Sequence, residues 1–265
     1  MDRYYVDHHI EGPNATLEGP EAHHLLHVMR GKPGTRVVLF DGSGREFEAV
    51  IDRIGRGEVH LAILDCQEVD RELPVRVTLA VSLPKGDRQK WLVEKAVEVG
   101  VDCLVPLGTL RSVAQPVAQA LARLRRGVIE ASKQCGRNQL MEIAAPQSWP
   151  DLVTATRELP SRILAHPQSR HPSDEGARQT LSSPPAPAPQ SPLPGSQLLG
   201  TATVRGPVLV AVGPEGGFSP EEVDLAVDAG WCTVDLGPRI LRVETAAIVL
   251  ATLVAQQGCR SGFPA

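Results

Sequence analysis

The sequence predicts an α/β protein, with a helix-covered parallel sheet that follows a smaller β-rich domain. Two observations support this fold class. From residue 75 onward, short apolar strands alternate with amphipathic helices, as in βα units. Residues 1 to about 70 instead contain short strands separated by glycine-containing turns. The change of pattern predicts a boundary near residues 70–74, which divides the chain into domains 1–72 and 73–265.

The composition is that of a soluble, reduced protein. Of 265 residues, 42% are hydrophobic and 22% charged, which suffices for a core. The five cysteines form no CxxC pair, so neither a disulfide framework nor a zinc ribbon is expected. Residues 1–12 lack the apolar core of a signal peptide, and no stretch approaches the length of a membrane span. We therefore expect a cytoplasmic protein that binds neither membrane nor metal.

The global charge gives no sign of nucleic-acid binding. The formal net charge is −4, and aromatic residues make up only 3% of the chain, too few for a broad base-stacking surface. Any contact with RNA must therefore come from a local cluster of basic residues.

In the N-terminal part, three strands are predicted at 36–40, 46–54 and 58–64, joined by the turns DGSG and GRG. Ahead of them, EGPEAHHLLHVMR predicts a short helix that ends at Gly31. A small β-barrel with one helix fits this pattern. The helix would place His23 and His27 on one face, for which we favour RNA contact or a surface position over a metal site.

The C-terminal part predicts five strands, within 75–84, 101–109, 161–167, 206–213 and 232–237. Four helices are predicted at 87–100, 118–136, 221–230 and 243–258. In the first of them, 3.6-residue spacing places four apolar residues on one face: Trp91, Leu92, Ala96 and Val99. The apolar stretch 246–255 has too few polar residues for a surface helix, so it is expected either in the sheet layer or at a subunit interface.

A glycine-rich loop, GPEGG at residues 213–217, separates a predicted strand from a helix. Glycines there permit positive φ and close approach of a ligand to the backbone. Ser219, Pro220 and Glu222 fit the N-cap, N1 and N3 positions of a capping box, which occupies the N–H groups that a phosphate would need. The spacing also differs from GxGxxG and GxxxxGK[ST]. The loop favours a neutral or cationic ligand over a phosphate, and a plain tight turn is an equal alternative.

A second loop, residues 236–242, also begins with Gly-Pro at a predicted strand end. Arg239 and Arg242 flank two large apolar residues, and Glu244 leads into an alanine-rich helix. Taken alone, the arginines would be surface residues and Leu241 a core residue. Ligands of open α/β sheets bind at the carboxyl ends of the strands, where the two loops would be neighbours. Their convergence therefore favours a binding site.

Both loops resemble those of the bacterial 16S ribosomal RNA methyltransferases that modify uridine at N3, a family of the knotted SPOUT superfamily. VGPEGGFSPEEVDLAVDAG and VDLGPRILRVETAAIVLATLVA carry the resemblance. HHLLHVMRGKPGTRVVLFDGSGREFEA is similar to the family's PUA-like RNA-binding β-barrel, and LPKGDRQKWLVEKAVEVGVDCLVPL to its first βα unit. RSV (111–113) and EASKQCGRNQLMEI (130–143) resemble its middle motifs. The Pro- and Ser-rich segment 169–197 departs from the family and is interpreted as a disordered insertion that leaves the site intact.

The resemblance implies a C-terminal trefoil knot that binds S-adenosylmethionine as cofactor. Carried over residue by residue, it implies that three sequence segments border the cofactor: Leu164, Ala165 and His166; Gly213, Glu215, Gly216 and Gly217; and Leu236, Gly237, Ile240, Leu241 and Arg242. It further implies a homodimer with the cofactor sites near the subunit interface.

Methylation at uridine N3 requires the N3 proton to leave, so a base or a cation that stabilises the uridine anion is useful. Arg242 and Arg239 are the candidates for the electrostatic role. Glu244 or Glu215 could accept the proton or orient an arginine. For Glu244, charge complementarity with a helix N-terminus is an equal alternative.

The expected partner is 16S ribosomal RNA or the small ribosomal subunit. Candidate RNA-binding residues are His24, Arg30, Lys85, Arg88, Arg111 and Arg137. For any single basic residue, solvated surface charge is the favoured interpretation, and the resemblance makes Arg30 and Arg137 the preferred exceptions. Two other functions are kept open: a non-catalytic ribosome-assembly factor of the same fold, and a SPOUT enzyme acting on transfer RNA. The intact glycines of both loops argue for an enzyme, and the PUA-like segment argues against transfer RNA.

Overall fold

A computed structural model describes residues 1–112, 118–167, 193–194 and 206–262, with side chains described up to 257 in the last helix. The chain forms two compact units. Unit 1 consists of Met1–Leu73, Val93–Asp102 and Ala118–Glu142, and unit 2 of Pro74–Leu92, Cys103–Val117 and Ile143–Ala265.

Unit 1 contains five strands, β1 Arg3–Tyr5, β2 Asn14–Glu18, β3 Arg36–Phe40, β4 Arg45–Ile54 and β5 Glu58–Glu68. They form one sheet of order β1-β3-β4-β5-β2. Its first strand pairs in parallel with β3, and the other ladders are antiparallel. Alternate residues such as Val37, Leu39 and Ile51 point inward and are buried, as period-2 patterning requires. The three predicted strands are confirmed.

The predicted short helix is present as α1, Gly19–His23, continued by a π-helical turn, His24–Val28. Gly31 ends the turn by donating its N–H to the Leu25 carbonyl at 2.9 Å. A Cβ at Gly31 would lie 2.8 Å from a Leu25 methyl carbon, so any other residue would force this buried side chain to shift. The His23 and His27 rings lie 4.6 Å apart, which confirms their common face.

One long helix of unit 1, α3 at Ala118–Cys135, is amphipathic. Its buried face includes Leu121, Leu124, Val128 and Ala131, which follow helical spacing. The predicted helix at 118–136 is therefore confirmed, and its arginines lie on the opposite, solvated side.

The remaining strands are β6 Val77–Val81, β7 Cys103–Gly108, β8 Glu142–Ile143, β9 Gln147–Ser148, β10 Ser161–Ala165, β11 Leu193–Pro194, β12 Val208–Val212 and β13 Cys232–Asp235. Unit 2 is built on a parallel sheet of order β11-β13-β10-β12-β6-β7-β8, with β9 beside β7. The five predicted strands are confirmed. Of the predicted insertion 169–197, only Leu193–Pro194 is described, as the short strand β11 beside β13; the remainder lies outside the described residues.

The other helices are α2 Asp87–Glu98, α4 Trp149–Ala155, α5 Pro220–Asp228 and α6 Val243–Gly262. The apolar helix α6 packs on β12 and β6 and buries Ala247, Leu250, Ala251 and Val254, so this face belongs to the sheet layer. In α2, Leu92 and Ala96 are buried as predicted. The placement of Trp91 on the core face is wrong, because this side chain is 43% exposed and the buried face turns instead toward Val93 and Val97.

An aromatic cluster anchors the segment that follows β12. Trp149 is fully buried, with its ring centroid 4.7 Å from that of Phe218 and 5.0 Å from that of Trp231. Its indole N–H donates to the Glu222 carbonyl at 2.8 Å. Short α4 thereby fixes both the start of α5 and the loop before it. None of the described helices is apolar over a length that would cross a bilayer.

Candidate functional site

Three neighbouring strands of unit 2 end at one edge of the sheet, because β10 pairs with β13 on one side and β12 on the other, all in parallel. The segments that follow these strands enclose a pocket of ≈ 460 Å³. This is the position and the size expected of a small-molecule site in an α/β fold. The two Gly-Pro loops predicted to converge at a sheet edge both line this pocket.

The loop at 213–219 forms its floor, and two of its glycines are required for different reasons. A Cβ on Gly213 would lie 2.9 Å from two ring carbons of Phe218, which is itself buried. Gly217 has φ +67 and donates its N–H to the Pro214 carbonyl at 2.8 Å, closing a tight turn. Gly213 is therefore required by its close contact with the Phe218 ring, and Gly217 by the positive φ of the turn.

The start of α5 is capped internally. Ser219 accepts from the Glu222 N–H at 3.2 Å, and the Glu222 carboxylate accepts from the Ser219 N–H at 2.8 Å. The predicted capping box, with Pro220 in the first turn, is confirmed. Two of the N–H groups that could bind a phosphate are thus occupied, and Glu221 adds negative charge to the same turn. This end of the pocket suits a ligand without phosphates.

The second loop, 236–242, forms the opposite wall. Gly237 has φ +110, and its N–H donates to the Asp235 carboxylate at 2.8 Å. Arg239 and Ile240 are exposed at the rim, while Leu241 is half-buried in the wall. The loop therefore presents both an apolar wall and a cationic rim.

His166 contributes a titratable ring to the pocket wall at the carboxyl end of β10. Its backbone N–H donates to the Val234 carbonyl at 2.9 Å. Burial lowers the pKa of the imidazole, with the Asp235 carboxylate opposing that effect. The ring is therefore held neutral near pH 7, with one nitrogen able to donate a hydrogen bond and the other to accept one.

Ten of the twelve predicted cofactor-binding residues line this pocket. The two exceptions are Leu164, which is fully buried in the core beneath it, and Arg242, which is exposed just beyond Leu241. Sequence reasoning missed several lining residues that adjoin the predicted ones: Pro167, Val212, Pro214, Phe218, Val234, Asp235, Pro238, Val243 and Ala246. For most of them the available signal was their position at or just after strand ends, whereas Val243 and Ala246 lie in the first turns of α6.

The candidate catalytic carboxylates both face one arginine. Arg88 Nη2 donates to Glu215 Oε1 at 3.2 Å, and Arg88 Nη1 lies 3.5 Å from Glu244 Oε2. The Glu244 side chain is only 8% exposed. Arg239 and Arg242 are exposed and form no ion pair with the described residues. Of the roles considered for the glutamates, the geometry favours orienting an arginine, namely Arg88.

Two other RNA-binding candidates lie in unit 2. Arg111 Nη1 donates to the Gly216 carbonyl at 2.7 Å, so this side chain supports the pocket floor. The adjacent Leu110 N–H donates to the Glu222 carboxylate at 2.7 Å. Lys85 is exposed immediately before α2 and is accessible to a phosphate.

The three candidates in unit 1 differ in accessibility. Arg137 is 4% exposed and donates to the Glu72 carboxylate and to the carbonyls of Val97 and Val101, at 3.1 and 2.9 Å. Its proposed RNA contact is therefore not available in this structure, because all of these bonds stabilise the interior of unit 1. His24 is half-buried, and its Nδ1 has no partner among the described residues. Arg30 is exposed at φ 57.

Comparison with known proteins agrees with this geometry. A family model described as an RNA methyltransferase domain matches residues 71–255, and one described as an RNA methyltransferase PUA domain matches residues 17–64. Ribosomal RNA small subunit methyltransferase E of Mycobacterium bovis is 32% identical, covering 93% of this chain and 88% of the relative. The protein of that name from Bacillus subtilis is 28% identical, covering 97% of both chains.

A solved structure shows the same architecture. It is that of ribosomal RNA small subunit methyltransferase E from Neisseria gonorrhoeae bound to S-adenosyl methionine, with 28% identity, a TM-score of 0.76 and 97% of both chains covered. The predicted fold class, a SPOUT-type parallel-sheet domain with a small PUA-like β-barrel, is confirmed.

Proposed function

We propose, since the chain belongs to the RNA methyltransferase family, that it uses S-adenosylmethionine to methylate N3 of a uridine in 16S ribosomal RNA. The observation that carries the proposal is the pocket between the loops after β10, β12 and β13. The names of the relatives supply the substrate class, and the cofactor-bound structure of one relative supports the cofactor.

The residues present fit S-adenosylmethionine. The pocket volume suits a small ligand, and the glycine at 213 lets the buried Phe218 ring pack directly against the backbone of the loop that lines the pocket. Residues 213–217 and 236–241 would hold the cofactor, together with Ala165 and His166. The capped helix end offers no phosphate site, in agreement with a ligand that has none. When bound, this cofactor supplies a methyl group activated on a sulfonium.

The chain's own residues must prepare the uridine. Its N3 proton has to leave, and negative charge then builds on the neighbouring carbonyl oxygens. Arg239, exposed at the rim, and Arg242, exposed just beyond it, provide cations that stabilise this charge. Glu244 and Glu215 act by orienting Arg88, and Glu244 remains the candidate if a carboxylate accepts the proton.

We also propose that the protein is a homodimer in the cytoplasm, and that each chain consists of domains 1–72 and 73–265. The exposed cations Arg30 and Lys85 contribute contacts to phosphates. Such contacts make RNA affinity fall with salt, so binding that is independent of salt would contradict them.

The function is tested by mass mapping of methylated nucleotides in ribosomal RNA from cells that lack the gene. Loss of one N3-methyluridine from 16S RNA, restored by the gene, is expected. An unchanged map would refute the proposal, and loss of a methyl group from transfer RNA instead would identify the alternative substrate. Methylation of free RNA and of isolated small subunits by the purified protein then identifies which of them is the substrate.

The role of Arg242 is tested with Arg242→Ala. We expect S-adenosylmethionine affinity to be retained and the methyl-transfer rate to fall about 100-fold, the usual effect of losing one charge-stabilising donor. Calorimetry and single-turnover kinetics measure the two quantities. Thr245→Ala, at an exposed neighbouring position, is the control. Full activity in Arg242→Ala would remove this arginine from the mechanism.

A further inference from the structure

We infer that Arg88 is a positioning residue. Its guanidinium links the floor loop of the pocket, 213–219, to the start of α6, and thereby fixes the position of the floor loop relative to the wall loop, 236–242. The inference deepens the proposed function, since it concerns how the same pocket is kept ready for S-adenosylmethionine. It replaces the RNA contact expected for this arginine.

The geometry joins two segments that are far apart in the chain. Arg88 is the second residue of α2. One arm of its guanidinium donates to Glu215, in the floor loop, at 3.2 Å. The other arm lies 3.5 Å from Glu244, two residues beyond the wall loop 236–242. A planar guanidinium with several donors can serve two carboxylates at once, whereas a lysine ammonium is a single point charge.

Burial explains why Arg88 is needed at this place. The side chain of Glu244 is 8% exposed, and its Oε2 has no hydrogen-bond partner among the described residues. A buried carboxylate is costly without compensating charge. The N-terminus of α6 supplies part of that charge, and Arg88 supplies the rest. Arg88 and Glu244 therefore constrain each other, and the wall loop is held with them.

Charge also argues against a phosphate at Arg88. Two carboxylates share this guanidinium, so the cluster carries an excess of negative charge. A phosphate would have to displace one carboxylate, and displacing Glu244 would leave that group buried and uncompensated. A sulfonium ligand is favoured by the same excess of negative charge.

Arg111 offers a matched comparison. It supports the same floor loop through the Gly216 carbonyl at 2.7 Å, and no bond from it to the wall loop is present among the described residues. Replacing Arg111 should loosen the floor loop alone, whereas replacing Arg88 should loosen both loops.

The test is amide hydrogen exchange of the full-length protein without cofactor, comparing wild type, Arg88→Ala and Arg111→Ala. Arg88→Ala is expected to speed exchange in both 213–219 and 236–245, and Arg111→Ala in 213–219 only. Unchanged exchange of 236–245 in Arg88→Ala would overturn the inference. Should Arg88→Ala fail to fold, Glu215→Gln, which weakens one arm, must speed exchange in the floor loop, and no change there would refute the link.

Two binding measurements separate positioning from RNA contact. For Arg88→Ala, the Kd for S-adenosylmethionine is expected to rise about two- to fivefold, the scale of a partly exposed ion pair. The salt dependence of RNA binding should stay unchanged. If cofactor affinity is unchanged, and the slope of log K for RNA binding against log salt concentration falls in magnitude by about 1, Arg88 is instead a phosphate ligand. If the wild type binds no S-adenosylmethionine, the proposed function fails, while the exchange data still decide on Arg88.

Discussion

Three glycines of the floor loop should respond differently to the same added methyl group. In Gly213→Ala, the new Cβ would lie 2.9 Å from two carbons of the Phe218 ring. In Gly217→Ala, the surrounding space is open, but the residue must keep φ +67. In Gly216→Ala, the nearest atom is 3.4 Å away, on the flexible side chain of Arg111.

The magnitudes follow from these three environments. Phe218 is 4% exposed and packed on Trp149, so it cannot move aside, and Gly213→Ala should lower the free energy of unfolding by about 1–3 kcal/mol. Positive φ costs alanine about 1–2 kcal/mol, offset by about 0.4–1 kcal/mol from the stiffer unfolded chain, so Gly217→Ala should lose about 1 kcal/mol. Gly216→Ala should range from no change to a gain of about 0.5 kcal/mol.

Urea denaturation of the three variants, followed by tryptophan fluorescence, measures the order of stability. Calorimetric titration then measures the affinity of each variant for S-adenosylmethionine. The weakest binding is expected for Gly213→Ala, because the new Cβ displaces the floor loop. Equal losses at Gly213 and Gly216 would refute the steric reasoning, because only Gly213 faces an immobile ring.

Three further predictions concern stability. Ser219→Ala removes the cap of α5 and should cost about 1 kcal/mol in urea denaturation, and wild-type stability would refute the role of the cap. Burial raises the pKa of Tyr4 to about 12. The stability that this shift contributes is present below pH 10 and is lost as the pH rises through about 12. The free energy of unfolding of Tyr4→Phe should therefore decline less steeply than that of the wild type at alkaline pH. Parallel declines would contradict the prediction. Glu72→Ala leaves the buried Arg137 without its counter-charge and should lower the free energy of unfolding by about 3–5 kcal/mol. The control Glu48→Ala breaks an exposed ion pair with Arg36 and should lower it by about 0–1 kcal/mol. Equal losses in the two variants would refute the distinction between buried and exposed pairs.

Regular patterns made most of the fold predictable. The apolar runs at 208–212 and 37–40 are local signals, and both became strands. The meeting of the two Gly-Pro loops was also predictable, because parallel strands present their carboxyl ends at one edge. The short helix α4 was missed, since its seven residues give little periodicity and its N-cap, Ser148, is an isolated signal.

Pairings between distant residues could not be predicted from the sequence. Arg88 and Glu215 are 127 positions apart, and Arg137 and Glu72 are 65 apart. A basic residue at a helix end looks the same whether it meets phosphate, solvent or a buried carboxylate. Trp91 shows the related limit for apolar residues, because spacing defines a helical stripe without indicating which edge of it is covered.

The capping of α5 by its own serine also bears on how the protein distinguishes metabolites. ATP shares the adenosine moiety with S-adenosylmethionine, and ATP-binding folds often seat the polyphosphate on a free helix end. Here that end is occupied by Ser219 and Glu222 and surrounded by carboxylates. Competition by abundant nucleotides is thereby opposed within the fold itself, without a separate gate.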